Sequence, residues 1–389
     1  MKIIAFYLPQ FHNIPENDEW WGDGFTEWTN VRSAKPLFKG HKQPKRPLGD
    51  NYYDLLDDDI KIWQASIAKK YGIYGFCYYH YWFSGKMLLE KPMEQMLANK
   101  SIDIPFCVCW ANEPWTKAWV ADDKKILIPQ KYGGKKEWKE HFDYLLPFFM
   151  DERYITENGK PVIIIYRPLV IPSIKEMLEY WDILAKEAGL KGIHSMCALN
   201  DMHADDIRFS CFNNLIEWEP HTIRWKNNNP ANNNWLLQII KSYRRKAFNW
   251  LERCFGIDFY KYDLIAVNKK KKNNFMSYDE IWNRIINMNP VSDNSLPGAF
   301  VRWDNTPRYK EKATVIVGES PEKFKKYLKQ QIIHAKEAYH SDKLFMYAWN
   351  EWAEGGYLEP DQEYEYDYLN AIREALIETK EFPSDKKEI

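Results

Sequence analysis

Two carboxylates and two indoles lie close together near the carboxyl end of the sequence, in the stretch KLFMYAWNEWAEGGYLEPD at 343–361. Glu351 and Glu354 are three residues apart, and Trp349 and Trp352 flank the first of them. A carboxylate pair can handle protons at a glycosidic bond, and an indole can stack on the apolar face of a sugar ring. The pattern predicts a catalytic pair at Glu351 and Glu354 in a carbohydrate site.

The same Glu-x-x-Glu spacing is compatible with a helix cap that carries solvated acids. The context favours a loop at the end of a strand instead. Residues 344–348 before the acids are too apolar for a surface helix, and Gly355 and Gly356 after them keep the loop open. We therefore expect a strand that leads directly into the acid pair.

Short β-type runs alternate along the chain with longer helical patterns, which is typical of an α/β protein with a parallel sheet. The predicted strands cover 3–8, 73–79, 105–110, 161–166, 194–199, 214–218, 298–303 and 344–348. The predicted helices include 55–71, 135–150, 173–188, 321–339 and 366–380. Eight such units, with no GxGxxG after the first strand, favour a (β/α)8 TIM barrel with long strand-end loops over a doubly wound sheet.

Polar and aromatic residues follow most of the predicted strands, and catalytic groups in such barrels lie at the carboxyl ends of strands. One polar residue after a strand is often only a turn or a cap, but their joint occurrence indicates a binding pocket at this end. The expected substrate-binding residues are Tyr7, Gln10, His12, Trp28, His80, Tyr81, Trp82, Trp110, Asn112, Glu113, Tyr166, Arg167, Glu217, Trp303, Asp304, Trp349 and Asn350.

Two long segments interrupt the alternation of strands and helices. Residues 13–51 form either a lid that walls the site or a packed Ω-loop. Residues 222–296 are a helical, partly basic insertion between the sixth and seventh strands, within a single catalytic domain that spans 1–389. Its helix at 235–255 carries arginines beside an apolar stripe, so it either docks on the barrel or makes peripheral contact with a membrane.

Composition limits the classes of function. The chain has 389 residues with 54 Lys and Arg against 55 Asp and Glu, so its net charge of -1 gives no field that would recruit nucleic acid. Aromatic residues make up 16% of the chain, and carbohydrate sites are one use for so many. Six cysteines without a CxxC pair, no signal peptide and no long apolar run predict a soluble, cytoplasmic protein.

Seven aromatic-rich blocks, in order from residue 1 to about residue 367, carry a resemblance to a known family. They are FYLPQFH, EWWGDGFTEWTNV, YGFCYYHYWFSGK, CWANEPWTKAW, GKPVIIIYRP, WDNTPR and WNEWAEG. The chain resembles the WbsX family of glycosyltransferases of lipopolysaccharide and O-antigen biosynthesis, which is in turn similar to the endo-α-mannosidases of glycoside hydrolase family 99. Pro114 and the segment 224–274 depart from the mannosidase pattern.

The resemblance implies a (β/α)8 barrel, an oligosaccharide or polysaccharide substrate, and chemistry without a metal or other cofactor. By motif, Glu351 takes the place of the residue that acts on the sugar 2-hydroxyl, and Glu354 that of the general acid/base. Both acids leave one strand end together, so we expect them to face the same part of the sugar ring. This favours a neighbouring-group route over a nucleophile and an acid on opposite sides of the bond.

Three classes of function compete at this stage. Glycosidic-bond cleavage or transglycosylation fits a barrel with an acid pair. Glycosyl transfer from a sugar nucleotide fits the family name, but the DxD sequence at 57–59 lies where a helix should begin and is better explained as helix N-terminal charge. A non-catalytic glycan-binding protein would use the tryptophans without needing two adjacent acids. A location peripheral to the inner membrane would suit assembly of lipid-linked glycans.

Overall fold

The computed structural model describes residues 1–116, 126–200, 206–226 and 274–383. Among them, nine parallel strands form a nearly closed barrel. These strands are β1 (Lys2–Tyr7), β2 (Ile73–Phe83), β3 (Phe106–Trp110), β4 (Lys160–Ile165), β5 (His194–Ala198), β6 (Asn214–Ile216), β7 (Ser295–Leu296), β8 (Gly298–Phe300) and β9 (Lys343–Tyr347). All eight predicted strands are present, and their bounds agree to within a few residues except at the ends of β2 and β8.

The barrel closes through a strand that is split in two. The order of neighbouring strands is β7-β6-β5-β4-β3-β2-β1-β9-β8, and Pro297 is the one residue between β7 and β8. Proline has no N–H for the ladder, so the strand is interrupted there: β8, which corresponds to the predicted seventh strand, lies beside β9, and the unpredicted β7 lies beside β6. Gly298 permits this close approach, because a Cβ there would lie 1.8 Å from the carbonyl oxygen of Glu217.

Helices surround the barrel or lie in its loops. They are α1 (Pro15–Trp21), α2 (Glu27–Ser33), α3 (Asp58–Lys70), α4 (Lys91–Ala98), α5 (Lys135–Phe149), α6 (Ile174–Glu187), α7 (His221–Lys226), α8 (Tyr278–Ile286), α9 (Thr306–Tyr309), α10 (Pro321–Glu337) and α11 (Asp367–Glu378). The five predicted helices correspond to α3, α5, α6, α10 and α11. The (β/α)8 fold class is confirmed, with its seventh strand divided.

Sequence signals explain several helix ends. Asp57 caps α3 by accepting a hydrogen bond from the Asp59 N–H at 2.9 Å, as expected for helix N-terminal charge. Ser320 caps α10, where Pro321 occupies the first turn and needs no hydrogen-bond acceptor for its nitrogen. The DxD sequence is therefore part of a helix start.

The two long segments differ in how much of them is described. In 13–51, α1 and α2 are packed against the barrel end, and Glu27 is fully buried while Trp28 is almost so. Within 222–296, residues 274–296 contribute α8 and β7, which belong to the barrel. The predicted helix at 235–255, and with it the expected membrane contact, lies outside the described residues.

None of the helices in the described ranges combines the length and the apolar character needed to cross a bilayer. The expected cytoplasmic location stays a prediction.

Candidate active site

A pocket of about 630 Å³ opens at the carboxyl ends of the barrel strands. Its volume is in the range typical of small-molecule sites. Aromatic side chains form much of its wall, and the acid pair lies in it together with one arginine. The described lining residues are Leu8, Tyr79, Tyr81, Ala111, Glu113, Pro114, Trp115, Thr116, Tyr166, Trp218, His221, Trp303, Asn305, Arg308, Tyr309, Lys312, Thr314, Tyr347, Glu351 and Glu354.

A second cavity, of about 690 Å³, lies outside the barrel in the groove between α10 and α11. Its walls carry lysines and glutamates that pair with one another, such as Lys325 with Glu374 at 2.6 Å. Exposed ion pairs of this kind are ordinary surface features. The pocket at the barrel mouth is therefore the candidate active site.

The acid pair shares one guanidinium group. Arg308 donates a short hydrogen bond from Nη1 to Oε1 of Glu354, and its Nη2 lies 3.2 Å from Oε2 of Glu351. The hydroxyl of Tyr347 donates to the other oxygen of Glu354. Glu351 is 4% exposed, whereas the Glu354 side chain keeps 16% of its surface accessible. Both acids therefore face the pocket, and Glu354 is the more accessible of the two.

A third carboxylate, Glu27 on α2, lies behind the arginine. Its two oxygens are 3.3 and 3.4 Å from Nη2 and Nε of Arg308, and the residue is fully buried. Three carboxylates thus surround one cation. Their mutual repulsion and their burial both disfavour the state in which all three are ionised.

Burial raises the pKa of Glu351 to about 8, because the charged form loses its hydration. The Arg308 guanidinium opposes this rise, and the carboxylates of Glu354 and Glu27 add to it. Burial raises the pKa of Glu27 as well, again against the effect of Arg308. Near neutral pH the site therefore retains a proton, which a general acid/base pair requires.

Two glycines shape the loop that carries the acids. Gly355 has φ of 63°, in the left-handed region, and a Cβ there would lie 2.8 Å from the backbone nitrogen of Asp304. A Cβ at Gly356 would lie 2.6 Å from the ring of Tyr347, whose hydroxyl holds Glu354. The glycines therefore serve close packing of the loop, and the expectation that they keep it open is corrected.

The two tryptophans that flank Glu351 do not line the pocket. Trp349 and Trp352 are almost fully buried, and their indole N–H groups donate to Glu359 at 3.1 and 2.6 Å. Gln64 donates to the same carboxylate at 2.6 Å, and Tyr53 donates to it at 2.7 Å. Two of these four donors, Gln64 and Tyr53, thus tie the acid-bearing loop to α3 and to the segment before it.

Replacing Glu359 by Gln is expected to lower the free energy of unfolding by about 2 kcal/mol. Each carboxylate oxygen accepts two hydrogen bonds, so an amide nitrogen in either position would face donors. Urea unfolding of the variant and of the parent measures the difference. The control is Glu19→Gln at an exposed position. A loss no larger than that of the control would contradict this role for Glu359.

Four of the predicted substrate-binding residues line the pocket. Tyr81, Tyr166 and Trp303 contribute aromatic surface. Glu113 lines it as well and is held by Arg167, with Nη1 of the arginine 2.5 Å from the Glu113 carboxylate. The structure therefore brings these four together with the acid pair.

Residues 79–82, in the second half of β2, show why neighbouring residues that were predicted to bind substrate point in different directions. Side chains alternate along a strand, so Tyr79 and Tyr81 face the pocket while His80 and Trp82 face the helix layer. Nε2 of His80 lies 2.9 Å from Nε2 of His141 on α5, and the Trp82 ring stacks on the same imidazole. Burial lowers the pKa of His80 to about 3, so this pair is neutral and does not line the pocket.

Tyr7, Trp110 and Glu217 also face away from the pocket. The Tyr7 hydroxyl donates to Gln64 on α3 at 2.6 Å, and the Trp110 indole donates to a backbone carbonyl of β2. Glu217 accepts a hydrogen bond from the Tyr339 hydroxyl at 2.7 Å. These side chains join the barrel to its outer layer.

Gln10, His12 and Trp28 pack behind the pocket at the end of β1. The backbone carbonyl of Gln10 accepts the N–H of Glu27, and the indole of Trp28 donates to the carbonyl of Tyr53 at 2.8 Å. His12 forms a hydrogen bond with a backbone carbonyl, and burial lowers its pKa. Their contacts are those of a packed support for α2.

Asn112, Arg167, Asp304 and Asn350 brace the strand-end loops rather than line the pocket. The Asn112 amide exchanges two hydrogen bonds with the backbone of Arg167, at 2.7 and 2.8 Å. The Asn350 amide does the same with the backbone of Leu8, at 2.7 and 3.0 Å. Asp304 accepts hydrogen bonds from side chains behind the pocket. These residues fix the positions of the loops that carry the site.

Sequence reasoning missed four residues of the pocket wall, which are Arg308, Tyr79, Trp218 and Tyr347. Glu27, expected only as part of a possible lid at 13–51, lies behind the arginine. Arg308 ends the WDNTPR block, so its place after a barrel strand was a usable signal. Trp218 contacts several of these rings, with its centroid 5.9 Å from that of Tyr347.

The barrel and its pocket define a glycoside hydrolase-like fold. The GH99 endo-alpha-mannosidase from Bacteroides thetaiotaomicron superposes with a TM-score of 0.53 at 13% identity, over 97% of each chain. A protein described as glycoside hydrolase-like superposes with a TM-score of 0.55 at 12% identity, over 96% of this chain and 93% of the other. Similarity at this level of identity concerns the fold.

The chain belongs to the glycosyltransferase WbsX family, which residues 3–372 match. An uncharacterized protein WxcX of Xanthomonas campestris pv. campestris strain B100 is 33% identical over 384 residues, covering 96% of this chain and 49% of the relative. The WxcX protein of strain ATCC 33913 is 33% identical over 377 residues with the same coverage. The chain thus spans about half the length of these relatives. Family and fold together point to a carbohydrate-active enzyme.

Proposed function

We propose that this protein acts on glycosidic bonds of a bacterial surface polysaccharide, by hydrolysis or transglycosylation with retention of configuration. The observation that supports this most directly is the acid pair in the aromatic pocket, where Arg308 holds both carboxyl groups. Membership in the WbsX glycosyltransferase family supports a glycan as substrate.

The roles proposed for the two acids follow a neighbouring-group route. Glu351 takes the proton of the sugar 2-hydroxyl, whose oxygen attacks the anomeric carbon and forms a 1,2-anhydro sugar. The bond to the leaving oxygen breaks at the same time, and Glu354 protonates that oxygen. Glu354 then takes a proton from water or an acceptor hydroxyl, which opens the anhydro ring while Glu351 returns its proton to the 2-oxygen. The route requires the 2-hydroxyl trans to the leaving group, as in α-mannosides.

The surroundings of the acids suit these roles. Glu351 is the more buried, and the route starts from the form of the protein in which Glu351 is ionised; because its pKa is raised, that carboxylate is a stronger base than an ordinary one. Glu354 is more accessible, as a group must be that meets a leaving oxygen and then water. The rings of Tyr79, Tyr166 and Trp303 offer apolar surface for the sugar.

Transfer from a sugar nucleotide is the second candidate, because the family is described as glycosyltransferase. A donor of this kind brings a diphosphate, which proteins bind with helix N-termini, backbone N–H groups or basic side chains. In the part of the chain that is described, the guanidinium of Arg308 is engaged by carboxylates. This arrangement favours the first candidate.

The deciding experiment incubates the protein separately with purified bacterial polysaccharides and with sugar nucleotides. We expect new reducing ends, or products of altered length, from the first incubation and no nucleoside diphosphate from the second. Release of nucleoside diphosphate that depends on an acceptor would establish the transferase instead. Saturable glycan binding without any product would indicate a binding protein. Glu351→Gln serves as the inactive control in each assay.

A further inference from the structure

Arg308 divides its two terminal nitrogens unequally among the three carboxylates. Nη1 donates a hydrogen bond to Glu354. Nη2 donates to Glu351 at 3.2 Å and lies 3.3 Å from an oxygen of Glu27, so the same end of the guanidinium faces both carboxylates. Nε, at 3.4 Å, is also directed at Glu27. When Glu27 is ionised, its negative charge therefore offsets part of the attraction of the guanidinium for Glu351.

We infer that Glu27 and Arg308 form a positioning pair, in which Glu27 draws guanidinium charge away from Glu351 and so keeps the Glu351 carboxyl group basic. This inference rests on the proposed function for its purpose, since a base that must accept a proton from a hydroxyl gains from higher basicity. Glu27 does not line the pocket, so its effect on substrate passes through Arg308.

The phenols near the acid pair do not contribute a charge that acts on Glu351. Tyr79, Tyr81 and Tyr347 lie close to Glu351, and burial raises the pKa of each phenol far above the neutral range. These phenols are therefore uncharged and can only donate or accept hydrogen bonds. The charges that act on Glu351 are Glu27 and Arg308, together with its partner Glu354.

Burial of Glu27 without another function would be costly. The residue is fully buried, and when it is ionised its charge is repelled by the carboxyl groups of Glu351 and Glu354, a cost that the ion pair with Arg308 offsets in part. An apolar residue or a glutamine would fill the same space on α2 without that repulsion. A carboxyl group in this position is explained if its charge raises the basicity of Glu351.

The test measures the protonation of Glu351 without any substrate. The free energy of unfolding is compared between a chain with Glu351 and the same chain with Glu351→Gln, across pH 4 to pH 9, in two backgrounds. Because the folded pKa of Glu351 is raised, its contribution to stability is present below the ordinary carboxyl pKa and is lost as pH rises toward about 8. We call the pH range over which this contribution is lost the window. Its upper end reports the protonation of Glu351 in the folded protein.

In the Glu27→Gln background we expect the upper end of the window to move down by roughly one pH unit, because a negative charge beside Arg308 is removed and the guanidinium then attracts the ionised Glu351 more strongly. Glu27→Asp keeps the charge and should retain most of the high value. The matched control is Glu363→Gln, which removes an acid paired with Lys42 and Lys45 away from the pocket. It should leave the window in place.

The positioning role would be overturned if the window in Glu27→Gln were unchanged and equal to the windows in Glu27→Asp and in the control. Glu27 would then have a structural role only. If Glu27→Gln does not fold, the Glu27→Asp background decides: a longer, weaker contact to Arg308 should still lower the upper end measurably, and no change would overturn the inference. Absence of any glycosidic activity would instead overturn the proposed function, since this titration does not depend on turnover.

Discussion

Replacing Glu351 by Gln is expected to lower kcat/KM by at least about 10³-fold on every glycoside that the parent turns over. An amide cannot take the proton of the sugar 2-hydroxyl, so the first bond-forming step loses its base whatever the leaving group. Initial rates with aryl glycosides that have the 2-hydroxyl trans to the phenol, made with acidic and with weakly acidic phenols, measure the effect. The loss should be similar for both classes of substrate.

The fold of the Glu351→Gln protein should be intact, because the amide oxygen can still accept from Arg308 and the buried negative charge is gone. Its melting temperature at pH 8 should therefore equal or exceed that of the parent. A 2-deoxy substrate provides an independent check, since it lacks the group on which Glu351 acts. Turnover of that substrate at the parent rate, or a glycosyl ester trapped on Glu351, would contradict the neighbouring-group route.

The barrel was predictable because its signal is local. Each apolar run is short, bounded by turn residues and followed by a helical pattern, and this alternation fixes a parallel α/β arrangement. The acid pair was predictable for the same reason, since it directly follows the strand at Lys343–Tyr347. The division of the seventh strand at Pro297 was visible as a proline but was not used.

The direction of individual side chains was not predictable in the same way. Strands of a parallel barrel are buried on both faces, so hydrophobic alternation does not mark which face points inward. His80, Tyr81 and Trp82 therefore look alike in sequence, yet only Tyr81 lines the pocket. Trp349, adjacent to the acids, is likewise buried against Glu359.

Charge clusters assembled from distant segments were hidden for a different reason. Glu27 and Arg308 are 281 residues apart in the chain, and neither has a local pattern that names its partner. Glu27 belongs to a loop that could equally have been a lid, and Arg308 follows a proline in a short helix. Only the folded barrel brings these two residues to the acid pair.

Replacing Glu354 by Gln is expected to separate substrates by the acidity of their leaving groups. A poor leaving group, such as a sugar alcohol, needs protonation as its bond breaks, so its kcat/KM should fall by about 10²–10⁴-fold. An acidic phenol leaves without that help, so its first step should be nearly unaffected. The slope of log kcat/KM against phenol pKa should therefore become steeper in the variant than in the parent.

Tyr347→Phe is the matched control for this experiment, because it removes the hydroxyl that bonds to Glu354 but leaves the carboxyl group able to give a proton. We expect it to reduce rates for good and poor leaving groups by similar, smaller factors. Added azide supplies a nucleophile that needs no general base, so it should restore turnover of acidic phenyl glycosides by Glu354→Gln and not by Glu351→Gln. If Glu354→Gln lowered kcat/KM equally for all leaving groups and azide did not restore turnover, Glu354 would have a structural role and would not transfer the proton.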